Sequence, residues 1–127
     1  MKIVYKTISP VLLATIWISF SEFVRNEFLL KAYWTGHYET LGLVFQSGPI
    51  NGAIWGIWSL LFAVAIFIIA KKFTLLQTVT ISWFVGFVMM WLVIGNLGVL
   101  PFKILYTAIP LSLVEVFVAG FIIKKLS

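Results

Sequence analysis

By length, 127 residues would suit one soluble domain, but 62% of them are hydrophobic, 10% are charged and the mean hydropathy is +1.12, which places the chain in lipid. There is no cysteine, no aspartate and a single histidine, His37. Disulfides, thiol catalysis, histidine–cysteine metal clusters and most nucleophile–base pairs are thereby excluded. The net charge of +5 is spread over lysines in ones and twos beside apolar spans, unlike a nucleic-acid patch, and neither a cofactor nor a nucleic-acid partner is expected.

The first apolar span is predicted at about 9–30, with Ser9 as its N-cap and Pro10 at the first helical position. The basic start and apolar core of "MKIVYKTISPVLLATIWISF" look like a signal peptide, but no small-x-small site follows, so the segment is read as a retained helix. The stretch "KAYWTGHYETLGLVFQSGPI" is expected to be an outer loop, about 31–50, with Trp34 and Tyr38 in the headgroup zone. Its expected breaks are Thr35-Gly36 and Ser47-Gly48-Pro49, with "LGLVF" lying along the membrane surface. Further spans are predicted at about 51–70, 75–96 and 104–123, the last two joined by the turn "GVLPFK".

Each span is roughly 20 residues, enough to cross a hydrocarbon core of about 30 Å at 1.5 Å per residue. A β-barrel would need alternating segments of about 10 residues instead. The fold class is therefore an all-α integral membrane protein, a four-transmembrane-helix bundle forming a single domain. Lys2, Lys6, Lys71, Lys72, Lys124 and Lys125 fall on one side with no acid among them, whereas Arg25, Lys31 and Lys103 are offset by Glu22, Glu27 and Glu39. The positive-inside rule then expects both termini in the cytoplasm of a plasma (inner) membrane.

Small or polar residues recur at helical spacing in every span: Thr15, Ser19, Glu22 and Asn26; Gly52, Gly56, Ser59 and Ala63; Thr78, Ser82 and Gly86; Ala108, Ser112, Glu115 and Ala119. Such spacing puts each set on one helix face. The ordinary role of these faces is close helix packing, with Gly52-x-x-x-Gly56 as the usual pattern. Serine and threonine hydroxyls would bond to their own helix backbone. Trp17, Trp58 and Trp83 near mid-depth are expected to fill space, and the methionines to pack.

Glu115 is harder to house, because a charge near the bilayer midplane costs at least about 2.5–3.5 kcal/mol. Arg25, the one base inside a span, is expected on the order of 10 Å nearer the outside, counting 1.5 Å of rise per residue. Arg25 would then pair with Glu22 or Glu27. Glu115 is expected to be a neutral carboxyl among the hydroxyls of Ser112, Ser59, Ser19 and Ser82, serving as a proton- or ligand-binding group. Glu22, Arg25, Asn26, Asn51 and Asn96 are expected to form a hydrated outer vestibule.

Three functions compete on these residues. The leading expectation is a non-enzymatic protein that binds or transports a small solute or lipophilic ligand, working as a homo-oligomer in the bilayer. The second is an accessory subunit of a larger membrane complex, suggested by the packing stripes and the shortage of chemical groups. The third is an interfacial lipid-modifying enzyme using Glu22, Arg25 and His37.

Overall fold

The computed structural model describes residues 2–127. The chain folds into helices: α1 (Val4–Leu29), a short α2 (Lys31–Thr40), α3 (Pro49–Ala70), α4 (Leu75–Asn96) and α5 (Phe102–Leu126). Among the described residues there is no strand, and α1, α3, α4 and α5 are long and apolar enough to cross a membrane. This is a membrane protein built as a four-helix bundle.

Local chemistry sets the helix ends. Gly48 caps α3, its N–H donating to Asn51 Oδ1 at 3.0 Å, and Pro49 takes the first position, where a missing N–H costs nothing. Thr74 and Gln77 cap α4 reciprocally, at 3.0 and 3.2 Å. At the far end of α3, Lys124 Nζ donates to the carbonyls of Ala70 and Phe73 at 3.0 and 2.7 Å. That ammonium satisfies orphan carbonyls and pins the C-terminal ends of α3 and α5 together.

Ser9 does not cap the first helix, as the sequence suggested. Its backbone is helical, and α1 begins five residues earlier, at Val4. Pro10 is accommodated because the turn Val4–Ile8 is wound wide, with Ser9 N–H bonding back to Val4 O. A π-turn moves aside the carbonyl that the pyrrolidine ring would otherwise strike.

α1 packs against α3 and α5, and α4 packs against the same two helices from the other side, so α3 and α5 form the closer diagonal. Leu30, just past α1, packs with Leu100, just before α5, and with Ile104 and Ala108 in its first turns, so α1 and α5 run antiparallel. The fully buried centre holds Ala14 and Ile18 of α1, Ala63 and Ile66 of α3, Phe87 of α4, and Val116 and Ala119 of α5. Large apolar side chains such as Ile16, Phe20, Leu61 and Phe117 point outward, towards what would be lipid.

The small-residue faces divide into two kinds. Ala108, Ser112, Glu115 and Ala119 are all buried, as are Thr78 and Ser82. Gly86 lets α4 approach α3, since a Cβ there would lie 2.6 Å from the Phe62 ring. Gly52 and Gly56 behave otherwise. A Cβ on either would meet nothing within 4 Å, so neither brings another helix of this chain close.

The segment after α1 is not a loop throughout. The chain kinks at Leu30 (φ −115°, ψ 1°) and continues as α2, straight through the expected break at Thr35-Gly36. Gly42 (φ +73°) then turns it back, in the left-handed region that suits glycine. Phe45 stacks on Trp34 with ring centroids 5.5 Å apart, while Tyr38 meets Phe45 edge-on at 5.2 Å. His37 Nε2 donates to Gly98 O at 2.8 Å, which ties α2 to the α4–α5 turn.

Candidate functional site

The buried row on α1 is Val11, Ala14, Ile18, Glu22 and Arg25, in steps of helical spacing. It carries both Glu22 and Arg25 into the bundle, where each is 4% exposed. Arg25 Nη2 lies 2.6 Å from Glu22 Oε1, and Nη1 lies 3.2 Å from Glu115 Oε1. One guanidinium thus bridges two carboxyls, and Glu115 is completely buried. The ring of Phe87 closes the remaining face, its centroid 5.3 Å from the guanidinium carbon.

Arg25 therefore reaches Glu115, contrary to the expectation from depth along the helices. Backbone height alone misleads here. Cα–Cβ bonds tilt towards a helix's own N-terminus, and α1 and α5 are antiparallel. Arg25 leans towards mid-bundle while Glu115 leans out to meet it. The turn Val24–Leu29, which holds Arg25, is also wound as a π-turn, a distortion frequent at functional positions.

Indole and amide donors lock the surroundings. Trp17 Nε1 donates to the backbone carbonyl of Glu115 at 2.8 Å, and Trp83 Nε1 to Ser112 Oγ at 2.9 Å. These mid-depth tryptophans do more than fill space, since each ties a neighbouring helix to α5. Asn26 Nδ2 donates to Glu22 Oε2 at 2.9 Å, and Trp34 Nε1 donates to Asn26 Oδ1 at 3.1 Å. A continuous polar chain thus runs from α2 through Asn26, Glu22 and Arg25 to Glu115.

The expected hydroxyl cluster around Glu115 does not form. Ser59 Oγ bonds back to Trp55 O and Ser112 Oγ to Ile109 O, each satisfied by its own helix. Ser82 Oγ is buried without a partner among the described residues. Ser19 instead lines a cavity between α1 and the first half of α3.

That cavity has a volume of about 520 Å³. Glu22 and Asn26 form its α1 wall, Asn51, Gly52, Trp55 and Gly56 its α3 wall, and the 46–48 linker one end. Of the expected vestibule, Glu22, Asn26 and Asn51 come together here. Arg25 lies behind Glu22, outside the lining, and Asn96 is exposed at the end of α4. Glu27 also touches the cavity, but Lys31 Nζ holds it at 3.1 Å. His37, engaged with Gly98, is not in the lining.

Chemically, two buried carboxyls share one guanidinium. Glu115 Oε2 has no donor among the described residues. With both acids ionised, the group Glu22–Arg25–Glu115 carries one negative charge more than its own cation balances, and low dielectric makes that charge costly. Glu22 is the member that reaches the cavity.

No protein family, characterised protein or solved structure matches this chain.

Proposed function

We propose that this protein binds a small solute or lipophilic ligand in the cavity between α1 and α3 and carries it across the membrane, using the Glu22–Arg25–Glu115 group as a proton-responsive element. One observation carries this: the 520 Å³ cavity touches one carboxyl of a buried acid–base–acid group whose charges balance only when one acid holds a proton. A proton taken up by either acid restores neutrality, and a solute at Glu22 changes the cost of that proton. Intramembrane ionisable groups facing a cavity characteristically serve such pathways. In this proposal the lysine-rich ends face the cytoplasm, the cavity opens on the other side, and the working unit is a homo-oligomer.

The test is protonation in bilayers. Carbonyl infrared difference spectra across pH should contain a carboxyl band that rises and falls reversibly and is lost or displaced in Glu115→Gln. The absence of any pH-dependent carboxyl band would make the group a fixed structural cluster and remove the proton-responsive element.

A further inference from the structure

We infer that the ligand of this cavity is a small lipophilic cation, an ammonium on an apolar body, with the body seated on the bare backbone face of Gly52 and Gly56 and the ammonium at Glu22. The inference rests on the cavity reading above and adds its ligand class.

Three independent observations converge. With both acids ionised, the group around Arg25 carries one negative charge in excess, which a cation offsets as well as a proton does. The other acid at the cavity, Glu27, has Lys31 to itself, whereas Glu22 shares Arg25 with Glu115, so Glu22 is where a further positive charge gains most. An anion would meet two carboxylates, with the one buried guanidinium behind Glu22 and already engaged.

The second observation is the lining itself. Apart from the two acids, Ser19, Ser47 and the amide side chains, the walls are Trp55, Phe23, Pro49 and glycine backbone. An aromatic face beside a carboxylate suits an ammonium that has shed its water, since both attract positive charge without demanding a hydrogen-bond donor count.

The glycines are the third. Gly52 and Gly56 stand one turn apart on the cavity wall, with open space where any side chain would go. Each costs helix stability relative to alanine, and neither contributes a close helix contact here. Their effect is to widen the cavity along α3, leaving a flat strip between Trp55 and Glu22. An apolar body of benzyl size lies along such a strip, and a large side chain at either position would occupy it.

Protein in lipid nanodiscs should be titrated with benzyltrimethylammonium and with its uncharged carbon isostere, neopentylbenzene, reading equilibrium binding with labelled compounds. The cation should bind at least tenfold more tightly than the isostere, and Glu22→Gln should erase that difference. Gly56→Leu and Gly52→Leu should each abolish cation binding, with folding checked by circular dichroism; the two positions are independent, and the comparison between the two ligands needs no variant at all. Equal binding of cation and isostere that is lost in the leucine variants would overturn the ligand class and leave the cavity reading standing. Cation binding that survives both leucine variants, or no binding of either compound, would overturn the site.

Discussion

Arg25 holds two acids with one guanidinium, and its removal would leave Glu22 and Glu115 buried together with no cation between them. Breaking a buried pair from one side costs roughly 3–5 kcal/mol, because a charge is left uncompensated. Arg25→Met should therefore be strongly destabilising by that amount, whereas the triple change Glu22→Gln, Arg25→Met, Glu115→Gln should recover most of the loss. Unfolding by rising SDS fraction in mixed micelles, followed by circular dichroism, measures both. A triple variant as unstable as the single one would mean that the three side chains are not an electrostatic unit. Arg25→Lys should fall between them, since one ammonium lacks the two-nitrogen fork that spans both acids. At this scale the sequence revealed the acids and the base but not their meeting. Spacing along a helix gives Cα heights, and only the antiparallel pairing of α1 with α5 shows that the two side chains lean in opposite directions along the bundle, towards each other.

Helices show which glycines pack and which leave room. Gly86 faces the Phe62 ring, itself held by stacking on Trp58 at 5.0 Å and edge contact with Phe87 at 5.7 Å. A Cβ at Gly86 cannot be absorbed by a free rotation of that ring, so Gly86→Ala should cost about 1–3 kcal/mol, the usual penalty of overpacking. Gly52→Ala meets nothing and should be neutral or stabilising by up to about 1 kcal/mol from helix propensity alone. The same micelle titration compares them; equal effects at the two sites would contradict the assignment of one to packing and the other to the cavity. The spacing of Gly52 and Gly56 could not show this, because a packing face and a cavity wall share the same four-residue period. The four long helices were legible as apolar runs of bilayer length. α2 was not, since "KAYWTGHYET" carries no apolar periodicity and is held by Trp34, Phe45 and His37 contacts that only the fold supplies.

Across the whole molecule, charge predicts orientation: six lysines gather at one end, and all the acids except the buried Glu115 lie towards the other. The chain has no cysteine, so single-cysteine variants report topology without background. Glu39→Cys should react with a membrane-impermeant maleimide in intact cells, and Ser127→Cys only after lysis. The opposite pattern would invert the molecule and turn the cavity towards the cytoplasm. Lysine placement and span length sufficed for this expectation, but the partner helices of each span, and hence the bridge at Arg25, depend on three-dimensional packing that periodicity does not encode. One end is also mechanically unlike the other. Lys124 clamps α3 to α5 through the Ala70 and Phe73 carbonyls, and Ala14, Ile18, Ala63 and Ile66 pack together above it, whereas a side chain at Gly52 or Gly56 would meet open space. The packed level is thus a fulcrum and the first half of α3 a lever arm. Ten residues of helix make an arm of about 15 Å, so a tilt of about 5° at Ser59 swings Pro49 by about 1.3 Å. Small rotations that leave the clamped end intact would change the bore of the cavity by a large part of an atom's diameter.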